Sequence, residues 1–109
     1  MAEKLGRNNE PTVLVLTSLA SGAKHGHALA RDIEQFAGVR LGPGSLYGAI
    51  TRLEERGLIE PLPSDDRRRP YEITAAGRVE LADAVQSMAR VVAAGSTRLG
   101  LRTIGLRPA

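Results

Sequence analysis

Apolar residues recur in several short stretches of the chain, and the spacing within each predicts a different element. In residues 42–59, GPGSLYGAITRLEERGLI, a turn of about 100° per residue puts Leu46, Ala49, Ile50 and Leu53 on one stripe. Gly44, Gly48, Thr51, Arg52 and Glu55 fall on the other side. Gly42, Pro43 and Gly44 break the chain before this predicted helix, Ser45 can cap it, and Gly57 offers a left-handed exit. The outer face is thin. Gly48 and Thr51 stand where a helix that only faces water usually carries long Lys and Glu side chains, so another surface can approach the backbone.

The remaining stretches frame this helix. Pro11 followed by Thr12, Val13, Leu14, Val15, Leu16, Thr17, Ser18, Leu19 and Ala20 fits a strand by its β-branched residues and a helix by its proline and the spacing of Val13, Leu16 and Ala20. His25 and Gly26 open a second helix with Leu29, Ile33 and Phe36 inward, Arg31, Glu34 and Gln35 outward, and Gly38 at its end. After Gly57 come Leu58, Ile59 and Glu60, the breakers Pro61, Pro63 and Ser64, a charged run, and then Pro70, Tyr71, Glu72 and Ile73. That is the layout of a hairpin with an arginine-bearing tip. Thr74 can cap a last helix in which Leu81, Val85, Met88, Val92 and Leu99 form a coiled-coil-like seam, with Gly95 at the missing rung. Ala82, Ala89 and Ala93 widen the seam beyond what packing on a small domain requires, which predicts dimerisation. The alternative is a helix that folds back on residues 13–19 of its own chain.

GSLYGAITRLEERGLIE, then RRRPYEITAAGR, with GAKHGHALARDIE upstream, resembles the winged helix-turn-helix of PadR-type transcriptional regulators over about residues 11–80. The run GSLY, LEERGLI and Tyr-x-x-Thr-x-x-Gly carries the likeness. Two positions depart from the family pattern: His27 stands where an aromatic is usual, and Gly48 where proline often follows GSLY. The resemblance implies a mainly α fold with a small β-hairpin wing, and it makes the first apolar stretch a helix. It divides the chain into a flexible arm (1–10), a winged helix-turn-helix (11–74), a dimerisation helix (75–101) and a flexible tail (102–109). It also implies a homodimeric, sequence-specific regulator of double-stranded DNA, a repressor on an inverted repeat, open to release by a small-molecule effector. This chain looks like a short form that dimerises through one helix.

On that fold Ser45, Gly48, Thr51 and Arg52 are expected at base edges, with Arg52 able to contact guanine through two hydrogen bonds. Tyr47, at the edge of the face, suits a phosphate, and His27 either packs or meets the backbone. Arg67, Arg68 and Arg69 in the wing can reach phosphates or a narrow minor groove, whereas in a merely solvated loop Asp65 and Asp66 would neutralise two of them. Dimerisation falls to Leu81, Val85, Met88, Val92 and Leu99.

Composition bounds these readings. A chain of 109 residues is one domain with a modest core, which a partner would enlarge. Aromatics make up 3% and Trp is absent, so that core is aliphatic. Without Cys there are no disulfides or thiolate metal sites, and a reducing cytoplasm is the expected compartment. The longest apolar run, residues 13–16, is too short to span a bilayer, and residues 1–10 lack the apolar core of a signal peptide. Residues 1–74 hold ten Lys or Arg against ten Asp or Glu, so the net charge of +3 comes from the last third. Attraction to nucleic acid must therefore come from local clusters.

His25-x-His27 has no third ligand at a recognised spacing, so no metal and no cofactor are expected. The chain has no Cys nucleophile, its two His are near neighbours, and it has no Gly-rich phosphate loop, so an enzyme is not expected. The competing reading is a winged-helix module that uses the same outer face to bind protein. A steep salt dependence of DNA retardation separates the two.

Overall fold

The computed structural model describes residues 10–65 and 67–101. The expected arm up to residue 9, Asp66 and the expected tail at 102–109 lie outside the described residues. Four helices and a two-stranded antiparallel hairpin follow in the order α1 (Pro11–Leu19), α2 (Gly26–Ala37), α3 (Pro43–Glu55), β1 (Ile59–Pro61), β2 (Tyr71–Ile73) and α4 (Ala75–Leu99). This is the mainly α, winged architecture expected. None of the described helices is long and apolar enough to cross a membrane.

The ambiguous first stretch is helical because its apolar residues are needed on several sides at once. Leu14, Val15, Leu16, Ser18 and Leu19 are all buried, and α1 packs against α2, α3, α4 and β2. A strand would offer only two faces. Ser18 is the buried polar member of this core. Its hydroxyl donates to Asp32 Oδ2 at 2.6 Å, and its carbonyl accepts from Lys24 Nζ at 2.6 Å, so neither group is left without a partner.

α2 begins at His25, whose Nδ1 accepts from the Ala28 amide at 3.4 Å, and ends at Gly38 with φ +68°. Leu29 and Ile33 are fully buried, but Phe36, expected inward, is 47% exposed. Every residue from 34 to 38 is exposed, so the last turn of α2 stands clear of the core although its stripe continues. α3 buries Leu46, Ala49, Ile50 and Leu53 as its period predicts. Its cap differs from the expectation. Gly42 is the N-cap and makes no side-chain cap bond, Pro43 occupies the first turn, and Ser45 lies inside the helix. Proline fits there because the first amides of a helix have no internal acceptor.

The hairpin pairs Ile59 with Ile73, Glu60 with Glu72 and Pro61 with Tyr71. Two glutamates directly opposite each other cost stability, so the wing depends on its buried isoleucines and on a further backbone bridge. In that bridge Lys24 N donates to Tyr71 O at 3.1 Å and Tyr71 N to Lys24 O at 2.9 Å. The turn before α2 is therefore tied to the wing.

α4 starts where three segments meet. Thr74 Oγ1 accepts from Gly77 N at 3.0 Å, donates to Gly57 O at 2.8 Å, and the Thr74 amide donates to Leu58 O at 3.0 Å. A Cβ at Gly77 would overlap the Leu58 carbonyl and lie 2.7 Å from Ile73 Cγ1. The Thr-x-x-Gly spacing thus supplies a cap and a clearance. Gly77→Ala is expected to destabilise the fold by about 1–3 kcal/mol through overpacking against backbone. Thr74→Ala should cost about 1 kcal/mol by loss of the cap. Urea unfolding followed by circular dichroism measures both, and a Gly77→Ala midpoint at the wild-type value would refute the close approach.

Candidate nucleic-acid interface

The sequence of α3 sends its apolar stripe inward, which leaves Ser45, Tyr47, Thr51 and Arg52 exposed and Gly48 half-buried. Thr51 Oγ1 donates to Tyr47 O at 2.9 Å, so its hydroxyl meets an outside group as an acceptor, beside its methyl. Helical side chains lean toward the N-terminus, and Arg52 follows this rule. Its Nη1 lies 3.5 Å from where a Gly48 Cβ would be. A Cβ there would make only ordinary contact, so the guanidinium runs along the outer face beside Gly48 without depending on the glycine.

Tyr47 is 51% exposed, and its hydroxyl fills the space of the missing Cβ of Gly26, at the start of α2. Packing the ring there brings α3 to the mouth of α2. From the other side the wing arrives, held by the Lys24 bridge to Tyr71, by Leu62 N donating to Pro70 O at 2.9 Å and by Ser64 Oγ donating to Arg68 O at 3.3 Å. His25, His27, Tyr47, Tyr71 and the arginines Arg67, Arg68 and Arg69, with Gly26 at the floor, enclose a pocket of about 260 Å3. Arg67 and Arg69 make no ion pair with the described residues, so Asp65 does not neutralise them; Asp66 lies outside those residues.

The expected phosphate-side residues therefore come together, whereas Ser45, Thr51 and Arg52 lie outside the pocket's lining. Gly26 and His25 were not anticipated as part of this site. The available signal was a glycine beside a helix-opening histidine, a residue type that permits close approach. Among the described residues no group of three or more His, Cys, Asp or Glu could hold a metal ion.

The seam residues on α4 divide. Leu81 is half-buried against the chain's own core, and Met88 is half-buried, while Val85, Val92 and Leu99 are 46%, 36% and 74% exposed. Val91 and Leu101 add further exposed apolar surface.

With this geometry in hand, the family model described as the transcriptional regulator PadR-like family matches residues 15–83. The chain belongs to that family. PadR regulators bind DNA to control transcription, and the family consists of regulators rather than enzymes. A Mycobacterium tuberculosis protein named as a transcriptional regulator is 36% identical over 89 residues, covering 76% of this chain and 82% of that protein. An uncharacterised 37.1 kDa protein of a Streptomyces fradiae transposon is 51% identical over 85 residues, but the matched part is 78% of this chain and only 25% of that relative. The crystal structure of a PadR family transcription regulator from Clostridium difficile superposes with a TM-score of 0.72 at 21% identity, covering 84% of this chain and 98% of the other. That likeness concerns the fold.

The contact between Tyr47 and Gly26 makes a specific prediction. Gly26→Ala must push the Tyr47 hydroxyl away, which the far end of a side chain can accommodate with little loss of stability. Gly26→Ala and Tyr47→Phe are both expected to weaken binding to matched and scrambled DNA duplexes by the same factor. Titration by fluorescence anisotropy tests this, and a change confined to the matched duplex would place Tyr47 at a base instead.

Proposed function

We propose that this PadR-family protein is a cytoplasmic homodimeric repressor that reads an inverted repeat through α3 and grips the flanking backbone through the α2 mouth and the wing, open to release by a small-molecule effector. The observation that carries the reading is the convergence of Tyr47, two histidines and three wing arginines on one pocket beside the exposed face of α3. Hydrogen-bond donors from three elements facing one space suit the oxygens of a phosphate backbone. A recognition helix beside such a seat presents its outer residues to the major groove, where Arg52 pairs with guanine.

The length of α4 supports dimerisation. Its 25 residues extend roughly 37 Å, against roughly 13 Å for the nine of α1. α1 cannot cover the far half, where Val91, Val92 and Leu99 are exposed. A second α4 is the covering surface, and a two-fold dimer sets two copies of α3 about one helical turn of DNA apart, or a small multiple of it.

Retardation of the DNA upstream of the chain's own gene, titrated with salt, tests the whole reading. Binding is expected to show a steep salt slope, and a flat one would favour a protein-binding module. Against a panel of single-base operator variants, Arg52→Ala should remove about 1–3 kcal/mol of discrimination at one position per half-site. Arg67→Ala with Arg69→Ala should weaken all sites alike and lower the salt slope by about one per lost contact. An unaltered profile for Arg52→Ala would move specificity to Ser45, Thr51 or DNA shape. Separately, Val92→Asp places a charge on the α4 face and is expected to give monomers by light scattering at concentrations where the wild type is dimeric. A wild type that is monomeric at tens of micromolar would exclude the dimer.

A further inference from the structure

The two imidazoles at the pocket lie with ring centroids 6.5 Å apart and planes within 14° of parallel. Their situations differ. His25 Nδ1 accepts from the Ala28 amide, so while it caps α2 its proton is on Nε2 and the ring is a neutral donor. His27 is exposed, and no hydrogen bond from the described residues holds its ring. Both rings line the pocket of about 260 Å3 and also the adjoining groove of about 460 Å3, which Arg31, Asp32, Gln35 and Arg68 complete.

Imidazole is the side chain whose ordinary change of charge falls between about pH 5 and 8. We propose that the histidine pair is a proton-coupled phosphate seat: on binding DNA, His27 takes up one proton and meets a backbone phosphate as an imidazolium, while His25 donates its Nε2–H as a neutral ring. The inference rests on the DNA-binding reading above and adds a pH dependence that the reading does not require.

The charges facing His27 set the sign. From α2, Arg31 faces the adjoining groove, and the wing contributes Arg67, Arg68 and Arg69 to the pocket. Asp32 lines the groove as well, with one oxygen already accepting from Ser18 at 2.6 Å. His25 on α2, Tyr47 on α3 and Tyr71 on β2 are the remaining titratable neighbours, and Asp65 of the wing lines neither space. A phosphate in the pocket would bring negative charge beside the ring, and its hydrogen bonds to charged donors are stronger than to neutral ones. The bound state therefore holds the extra proton. Affinity is highest at low pH and falls as pH rises through the imidazole range, by up to about tenfold per unit for one proton.

The test is anisotropy titration of a labelled duplex from the upstream DNA, at constant ionic strength, from about pH 5.5 to 8.5. His27→Phe keeps a ring but cannot be protonated, His27→Gln keeps a neutral donor, and His25→Asn keeps an N-cap while removing the second imidazole. The wild type and His25→Asn should lose affinity as pH rises, and both His27 variants should give flat profiles. The wild-type salt slope should also be larger by about one at the acid end, and unchanged across the range in His27→Phe. A flat wild-type profile, or a slope that survives in both His27 variants, overturns the proposal and leaves the DNA-binding reading intact. Absence of DNA binding at every pH would overturn that reading itself and the proposal with it.

Discussion

The backbone at Gly57 and Leu58 is the constraint on which the other parts depend. α3 ends there in a left-handed glycine with φ +75°, the wing begins, and both carbonyls are claimed by Thr74 at the start of α4. Gly77 then allows α4 to lie directly against Leu58. The orientation of α3 relative to α4 is thus set by short hydrogen bonds and a backbone contact that bypass the wing joining them. A dimer joined through α4 inherits that rigidity, so the spacing of two recognition helices would be fixed by residues that touch neither DNA nor the partner. Close-packed contacts of this kind change in steps and resist gradual deformation.

The proposed DNA-facing surface is shaped by what one glycine leaves out. Gly26 makes room for Tyr47 and draws α3 against the α2 mouth. Lys24 works from behind: its Nζ donates to Ser18 O at 2.6 Å, Ser21 Oγ at 3.0 Å and Gly22 O at 3.3 Å, while its backbone pairs with Tyr71. The wing arginines are therefore referred to α1, the most buried helix, through one residue.

Local periodicity made α3, the helical run of α4 and the left-handed exits at Gly38 and Gly57 legible in the sequence, because each depends on neighbours a few residues away. α1 was not legible from period alone. Its apolar residues are buried on several sides, which erases the alternation that separates helix from strand, and the family likeness was needed to choose. Ser45 illustrates a different limit. A good capping residue stood in place, but Pro43 carried the helix start two residues earlier, at Gly42. Phe36 kept the correct phase yet stayed exposed, since a stripe does not reveal where its packing partner ends. The pocket's membership was half legible: Tyr47, His27 and the arginines stand out by type, whereas Gly26 and the Lys24–Tyr71 bridge exist only through long-range pairing.

Charge decides how such a surface can work. The excess of cations lies in the last third of the chain, and Arg78, Arg90 and Arg98 sit on α4, away from the residues that line the pocket. At physiological ionic strength the Debye length is about 8 Å, so any of those charges farther than that from a bound duplex is largely screened. At low salt they would add a weak, sequence-independent pull that the cell does not see. On the proposed reading, the attraction among the described residues comes from the few donors at the α2 mouth and wing of each protomer, too few for tight binding by one copy at physiological salt. A second copy held at fixed spacing makes the second contact intramolecular and raises affinity without a new kind of contact. The near-neutral reading head and the exposed half of α4 therefore support the same proposal, in which pairing would supply affinity and the outer face of α3 specificity.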